Sequence, residues 1–359
     1  MKIGIVLGTR PEIIKMAPVI RECQRRHIDH FLLHTGQHYS YSLDKIFFDE
    51  LELPDAQHNL EVGSGSHGVQ TGKILAGSER VFLEERPDVV LVQGDTNTVM
   101  AAALAATKLG IKVGHVEAGL RSFDRTMPEE VNRVIADHTS NYLFAPTEAS
   151  RRLLQNEGIV SGVHVTGNTI VDAAFQAKEI AARRSNILSH LGLVSSHYIL
   201  ATAHRAENVD VKERLQGVLR GMSSVSEILG MEVLFPVHPR TRARMEHFGL
   251  EARGVRMIDP VGFLDFLQLE SNARLVLTDS GGVQEEACIL RVPCVTLRDN
   301  TERPETIEVG ANVLAGTAPQ RILDAAKQMV ERERDWINPF GDGHASRRII
   351  DILLEDVKQ

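Results

Sequence analysis

Residues 1–20 read MKIGIVLGTRPEIIKMAPVI. The apolar run Ile3–Leu7 has strand character, Gly8 ends it, and a helical pattern follows Pro11. A dinucleotide-binding domain opens in the same way. Yet the turn Gly8-Thr9-Arg10-Pro11 has no G-x-G-x-x-G. It carries Arg10 and, further on, Lys15, where such domains keep bare backbone. The opening therefore specifies the first strand–helix unit of a parallel sheet, with a cationic turn that suits a ligand other than NAD.

The pattern recurs in two sets. KIGIVLG, HFLLHTG, DVVLVQGD, IKVGHVEAG, NYLFAPT and VHVTGN form the first, and YILATAH, EVLFPVH, VRMIDP, RLVLTDSGG, PCVTLRD and NVLAG the second. Each run is short, rich in Val, Ile and Leu, and closed by Gly, His, Asp, Thr or Pro. Amphipathic stretches such as EIIKMAPVIRECQRR and TVMAAALAATKLG separate most of them. Short apolar strands alternating with helices predict α/β class, with parallel sheets covered on both faces. Two Rossmann-type α/β/α domains are expected, 1–170 and 171–359, their strand ends facing each other across a cleft. The joint is TIVDAAFQAKEIAARRSNILSHLG. The last helix, about 344–357, has no strand after it and either caps the second domain or crosses back to the first.

Composition narrows the function. The chain has 359 residues, 43% of them apolar, enough for two cores, and a net charge of −8. That balance argues against nonspecific nucleic-acid binding, so an anion site must be built locally. Cys23, Cys288 and Cys294 lack metal or redox spacing and read as small core residues in a reducing compartment. No leader is visible and no apolar stretch approaches the ~20 residues that span a bilayer. A soluble, cytoplasmic protein with neither membrane nor nucleic acid as partner is expected.

Two stretches imitate phosphate loops. GSGSHG, 63–68, matches G-x-G-x-x-G but follows HNLEV, a poor strand. GVQTGK, 68–73, is one residue short of a Walker motif, and Ile74 stands where Ser or Thr would hold magnesium. RLVLTDSGGVQEEA is the stronger signal. A strand ends at Asp279, Ser280-Gly281-Gly282 turn, and a helix begins. Bare glycines at a helix N-terminus let a phosphate approach backbone N–H groups. Glu286, one turn along, suits the two hydroxyls of a ribose. Arg10, Lys15, His238 and Arg303 add cationic or polar groups at turns and strand ends, and Arg10 and Arg303 each precede a proline. Asp95, Glu117 and His204 follow apolar strands, and Glu129 sits at a helix start after Pro128. No tight His/Cys cluster suggests a metal.

In order, GTRPEIIKMAP, TGQH, GDTNT, GHVEAGLRS, MPEEVNR, ATAHRAEN, PVHP, TDSGGVQEEA and TERPE closely resemble the non-hydrolysing UDP-N-acetylglucosamine 2-epimerases, over almost the whole chain. The resemblance implies a GT-B-like fold and a homodimer. It implies reversible conversion of UDP-GlcNAc to UDP-ManNAc, with no redox cofactor and no metal. It gives Asp95, Glu117, Glu129 and His204 to catalysis. It gives Arg10, Lys15, His238, Ser280, Gly281, Gly282, Glu286 and Arg303 to UDP, with Val261 and Phe266 against the uracil. It places Gln37 and His38 near a second, activating UDP-GlcNAc site, where Ser40 and Tyr41 depart from the bacterial pattern. Ala206 stands where a second arginine is common. A hydrolysing epimerase, a GT-B glycosyltransferase and a non-catalytic nucleotide-sugar sensor are the alternatives.

Overall fold

The computed structural model describes residues 1–37 and 41–356. The chain divides into two compact units, Met1–Gln176 with the segment from Phe340 onward, and Ala177–Pro339.

The first unit runs β1 (Lys2–Leu7), α1 (Arg10–Arg25), β2 (Asp29–His34), α2 (Tyr41–Glu50), β3 (His58–Asn59), α3 (His67–Glu85), β4 (Val89–Gln93), α4 (Asn97–Lys108), β5 (Lys112–Val116), α5 (Pro128–Thr139), β6 (Tyr142–Ala145), α6 (Glu148–Asn156) and β7 (Val163–Val165). α7 (Thr169–Arg184) leads into the second unit: α8 (Ile187–Leu191), β8 (Tyr198–Thr202), α9 (Ala206–Val209), α10 (Lys212–Leu229), β9 (Glu232–Pro236), α11 (Pro239–Phe248), β10 (Val255–Ile258), α12 (Phe263–Asn272), β11 (Leu275–Thr278), α13 (Gly281–Ile289), β12 (Cys294–Thr296), α14 (Pro304–Glu308), β13 (Asn312–Leu314) and α15 (Pro319–Val330). α16 (Ala345–Asp356) belongs again to the first.

Every strand pairing is parallel. The orders are β3-β2-β1-β4-β5-β6-β7 and β10-β9-β8-β11-β12-β13. All twelve apolar runs form strands, giving two Rossmann-like units, as expected of a GT-B-like fold. The thirteenth strand corrects the reading of HNLEV: His58 and Asn59 pair with Leu33 and His34 at the sheet edge. GVQTGK lies in the body of α3, so it is no phosphate loop.

The order reverses beside β1 and β4 in one sheet and beside β8 and β11 in the other. Such switch points are where doubly wound sheets bind ligands. The turns there are Gly8–Thr9, Gly94–Thr96, Ala203–Arg205 and Asp279–Ser280, the same segments singled out by sequence.

α1 shows why the local structure forms. Thr9 and Glu12 make a reciprocal capping box, and Pro11 sits in the first turn. Ile13, Met16, Ala17 and Ile20 recur at helical spacing and are buried. α16 packs on α1 through a face that buries Ile349, Ile350 and Leu353. Its N-terminus is held by Asp172, which accepts the Ala345 and Ser346 N–H groups and the Ser346 hydroxyl. The division between the units therefore falls inside a continuous helix, at 176/177, rather than near 170. The three cysteines are buried and free, and burial pushes the Cys23 and Cys288 thiols up to about 12. Among the described residues no helix is long and apolar enough to cross a membrane.

Candidate active site

In the first unit, Glu12 organises the switch point. Its buried carboxylate accepts the Gly8 N–H at 2.5 Å, the Thr9 N–H at 3.0 Å and the Thr96 hydroxyl at 2.5 Å. It thereby ties the β1–α1 turn to the β4–α4 turn that carries Asp95. Burial pushes its pKa up to about 7, against these hydrogen bonds. Gly8 is required by space, since a Cβ there would collide with the Thr98 and Thr35 hydroxyls. Arg10 leaves this turn with its guanidinium 5.0 Å from the Phe47 ring centre and its Nε 3.5 Å from the buried Asp44.

Glu117 sits just past β5 with φ +73°, a left-handed conformation few side chains adopt. Its N–H donates to the Phe144 carbonyl. Its carboxylate receives Lys15 Nζ at 2.8 and 2.7 Å, the Gln93 amide, and Asn168 Nδ2 at 3.3 Å. The structure thus sets Lys15 on a carboxylate. Asp95 pairs with Arg133, whose Nη1 also reaches Glu130 at 2.9 Å. Asp95 and the exposed Glu129 line one pocket of about 240 Å³ with Gln37, His67 and Asn97. Gln37 directs its amide oxygen to the Thr98 N–H and hydroxyl at 2.9 and 2.7 Å. His38 lies outside the described residues.

A buried trio supports these turns. His115 faces the Gly94 carbonyl at 2.8 Å through Nε2 and Asp137 at 2.7 Å through Nδ1. Asp137 also accepts Arg121 at 2.6 Å and the Gly119 N–H at 3.2 Å. Burial works against both charges, but each stabilises the other: His115 is held above its ordinary pKa and Asp137 below.

In the second unit, the fully buried Asp279 holds the ATAHRAEN turn. It accepts the His204 N–H at 3.0 Å, the Arg205 N–H at 3.0 Å and Asn208 Nδ2 at 3.2 Å. His204 Nδ1 is 3.4 Å from it, and the His204 and His238 rings are 5.7 Å apart. Burial holds the His204 imidazole below its ordinary pKa, with His238 and Arg205 adding to the shift and Asp279 opposing it. His204, His238, Val261, Phe266 and Ser280 line one pocket of about 210 Å³.

Ser280 is the N-cap of α13 and accepts the Val283 N–H. A Cβ at Gly281 or Gly282 would meet no protein atom closer than 3.5 Å. The protein's own packing does not demand these glycines, so the space over the helix start stays open. Arg303 Nε lies 3.0 Å from Glu285. Glu286, half-buried one turn into α13, is in hydrogen-bonding contact with Glu270.

Sequence reading assigned no role to Gln93, Asn168, Arg133, Asp279 or Glu270. Arg133 and Asp279 stand inside quoted motifs. Gln93, Asn168 and Glu270 carry no local signal, because their partners come from other elements.

A family profile described as UDP-N-acetylglucosamine 2-epimerase matches residues 21–354. The UDP-N-acetylglucosamine 2-epimerase of Methanocaldococcus jannaschii is 55% identical over 361 residues, covering 98% of this chain and 99% of that one. Its crystal structure in complex with UDP-GlcNAc and UDP matches with a TM-score of 0.81 over 99% of this chain and all of that one. The UDP-2,3-diacetamido-2,3-dideoxy-D-glucuronate 2-epimerase of Pseudomonas aeruginosa is 41% identical over 99% of this chain and 100% of that one.

Proposed function

The chain belongs to the UDP-N-acetylglucosamine 2-epimerase family, and from that premise we propose that it interconverts UDP-GlcNAc and UDP-ManNAc without hydrolysis. UDP-GlcNAc is preferred over the diacetamido-uronate because the relative acting on the former, by its name, is 55% identical and the other 41%.

The C2 proton of the sugar is not beside a carbonyl and is scarcely acidic. Breaking the C1–O bond first gives the ring oxocarbenium character, which acidifies C2. UDP leaves with the bonding pair, a carboxylate takes the proton, and 2-acetamidoglucal remains. The proton then returns to the opposite face of C2 while the UDP oxygen re-forms the bond to C1. The cycle is redox-neutral. It requires stabilisation of the departing diphosphate and a carboxylate poised at the sugar.

The second unit supplies the first requirement. Ser280, Gly281 and Gly282 receive the diphosphate at the start of α13, aided by His238 and Arg303. Val261 and Phe266 face the uracil, and Glu286 accepts the ribose hydroxyls. Arg10 is assigned to the diphosphate on the family resemblance of the GTRPEIIKMAP turn. Asp95, Glu117 and Glu129 divide the base, acid and charge-stabilising roles, and His204 assists at the phosphate or the sugar hydroxyls. Lys15 acts on the sugar side through its ion pair with Glu117. The observation that carries this reading is Glu117, held in a left-handed conformation and gripped at both oxygens by Lys15. A site that only bound a nucleotide has no need of it.

The test is the reaction in D2O with UDP-GlcNAc and no acceptor, nicotinamide or added metal, with the diacetamido-uronate run alongside. UDP-ManNAc carrying deuterium at C2 is expected, with no free ManNAc, because the carboxylate that returns the proton exchanges with solvent. Full retention of protium at C2 would sink the elimination route. Free ManNAc would show a hydrolysing enzyme, and no UDP-ManNAc at all would end the epimerase reading.

A further inference from the structure

Glu270 on α12 is fully buried, with 0% of its surface exposed. Among the described residues no N–H or hydroxyl donor reaches either of its carboxyl oxygens. Its hydrogen-bonding contact is with the carboxyl of Glu286 on the neighbouring helix α13. Two carboxylates cannot make that contact, because both are acceptors. One of the pair must carry a proton and donate it.

The surroundings decide which. Glu286 is half-buried and Glu270 has no access to water, so the charge costs least on Glu286. The titratable groups that act on the pair, Glu285 and Cys294, and those near it on the same and adjoining elements do not supply a competing proton. From α13, Glu285 is tied to Arg303 at 3.0 Å. Burial pushes the Cys288 thiol on α13 and the Cys294 thiol on β12 upward, so both stay neutral. The Tyr198 hydroxyl on β8 is committed to the Leu269 carbonyl at 2.5 Å, and Asp265 on α12 accepts the Ser185 hydroxyl at 2.6 Å. Burial also pushes both glutamates up, Glu270 well above the ordinary carboxylate range and Glu286 to about 7, with the charge of Glu285 adding to the second.

We propose that Glu270 holds a proton and donates it to Glu286, orienting that carboxylate for the ribose hydroxyls. Glu270 is a positioning residue for nucleoside recognition, and this rests on the assignment of Glu286 to the ribose. Glu270 also does so as a neutral group. A second carboxylate there would add an anion to a site that must accept a diphosphate. A carboxylic acid gives the hydrogen bond without that repulsion.

The experiment is calorimetric titration of the intact protein with UDP and, separately, with pyrophosphate, which has no ribose. Glu270→Gln replaces the O–H donor by an amide N–H. Its UDP affinity stays within about twofold of wild type, while Glu270→Leu and Glu286→Ala each lose about tenfold or more. Pyrophosphate affinity is the same in all of them. Adding Glu270→Leu to Glu286→Ala costs nothing further. Wild-type UDP affinity falls at alkaline pH as the pair gives up its shared proton, and Glu270→Gln lacks this fall. Should Glu270→Leu not fold, the pH profile of Glu270→Gln decides alone. The pairing is overturned if Glu270→Leu binds UDP normally, if it loses pyrophosphate equally, if Glu270→Gln is as weak as Glu270→Leu, or if Glu270→Gln keeps the alkaline fall. Normal UDP binding by Glu286→Ala overturns the ribose assignment itself.

Discussion

Glu117→Gln lowers kcat with UDP-GlcNAc by about 10²–10⁴-fold, the range for loss of a positioned acid–base group, while UDP binds within about twofold of wild type. The glutamine has the same shape and can still reach Gln93 and Asn168, so the fold around it survives. What disappears is the charge and the ability to take or give a proton. Lys15 Nζ, 2.7 Å from that carboxylate, then loses its anionic partner. Steady-state kinetics with calorimetry of UDP checks the result, and near-normal turnover would remove Glu117 from the mechanism. Lys15→Ala separates the two readings of the lysine. A fall in kcat with unchanged UDP affinity places Lys15 with Glu117, whereas weakened UDP binding returns it to the diphosphate.

Asp137→Ala destabilises the protein by about 3–5 kcal/mol, because removing one member of a buried ionic group strands the others. The Asp137, His115 and Arg121 side chains are 0%, 1% and 1% exposed. Without Asp137, His115 must give up its proton and Arg121 keeps only Glu157, 2.7 Å away, among the ion pairs it makes here. Urea unfolding of the intact chain measures the loss, and a change below about 1 kcal/mol would show that the trio contributes little. The pH dependence follows from the two shifts. Asp137 is held low, so its contribution is complete above the unfolded value of about 4 and fades as pH falls through the folded one. His115 is held high, so its contribution is complete below about 6.5 and fades as pH rises through its folded value. The wild type draws most from this trio between those two values, and Asp137→Ala flattens both limbs. Turnover falls as well, because the trio holds the Gly94 carbonyl and the Gly119 N–H, which fix the turns bearing Asp95 and Glu117.

The sequence by itself determined the alternation of strand and helix, and with it the parallel sheets and their switch points. Runs such as IGIVL and LVLT are too short and too apolar to be anything but covered strands, and Gly, His or Asp ends each one locally. It also put charged and polar groups at the strand ends, since Arg10, Asp95, Glu117, His204 and Ser280 stand within a few residues of a strand or a helix start. These signals are legible because period and punctuation are properties of neighbours in the chain. The two-residue strand His58–Asn59 was not, because it exists as a strand through pairing with β2, 24 or more residues earlier in the chain.

The tertiary structure decided what each charge does. Lys15 and Glu117 are 102 residues apart and meet at 2.7 Å. Asp279 grips a turn 75 residues before it, and Glu12 reaches a turn 84 residues after it, at Thr96. The hydrogen-bond partner of a buried carboxylate is whichever donor the fold brings within about 3 Å. Burial then sets its charge. Glu270 looks like an ordinary helix-surface glutamate in LQLESN, and nothing in VQEEAC gives Glu286 a carboxyl partner; only the meeting of the two side chains in the fold makes them share a proton. Spacing along a chain records which side of its own helix a residue occupies. It holds no record of the other element's side chain lying opposite, and that neighbour sets both the proton and the position.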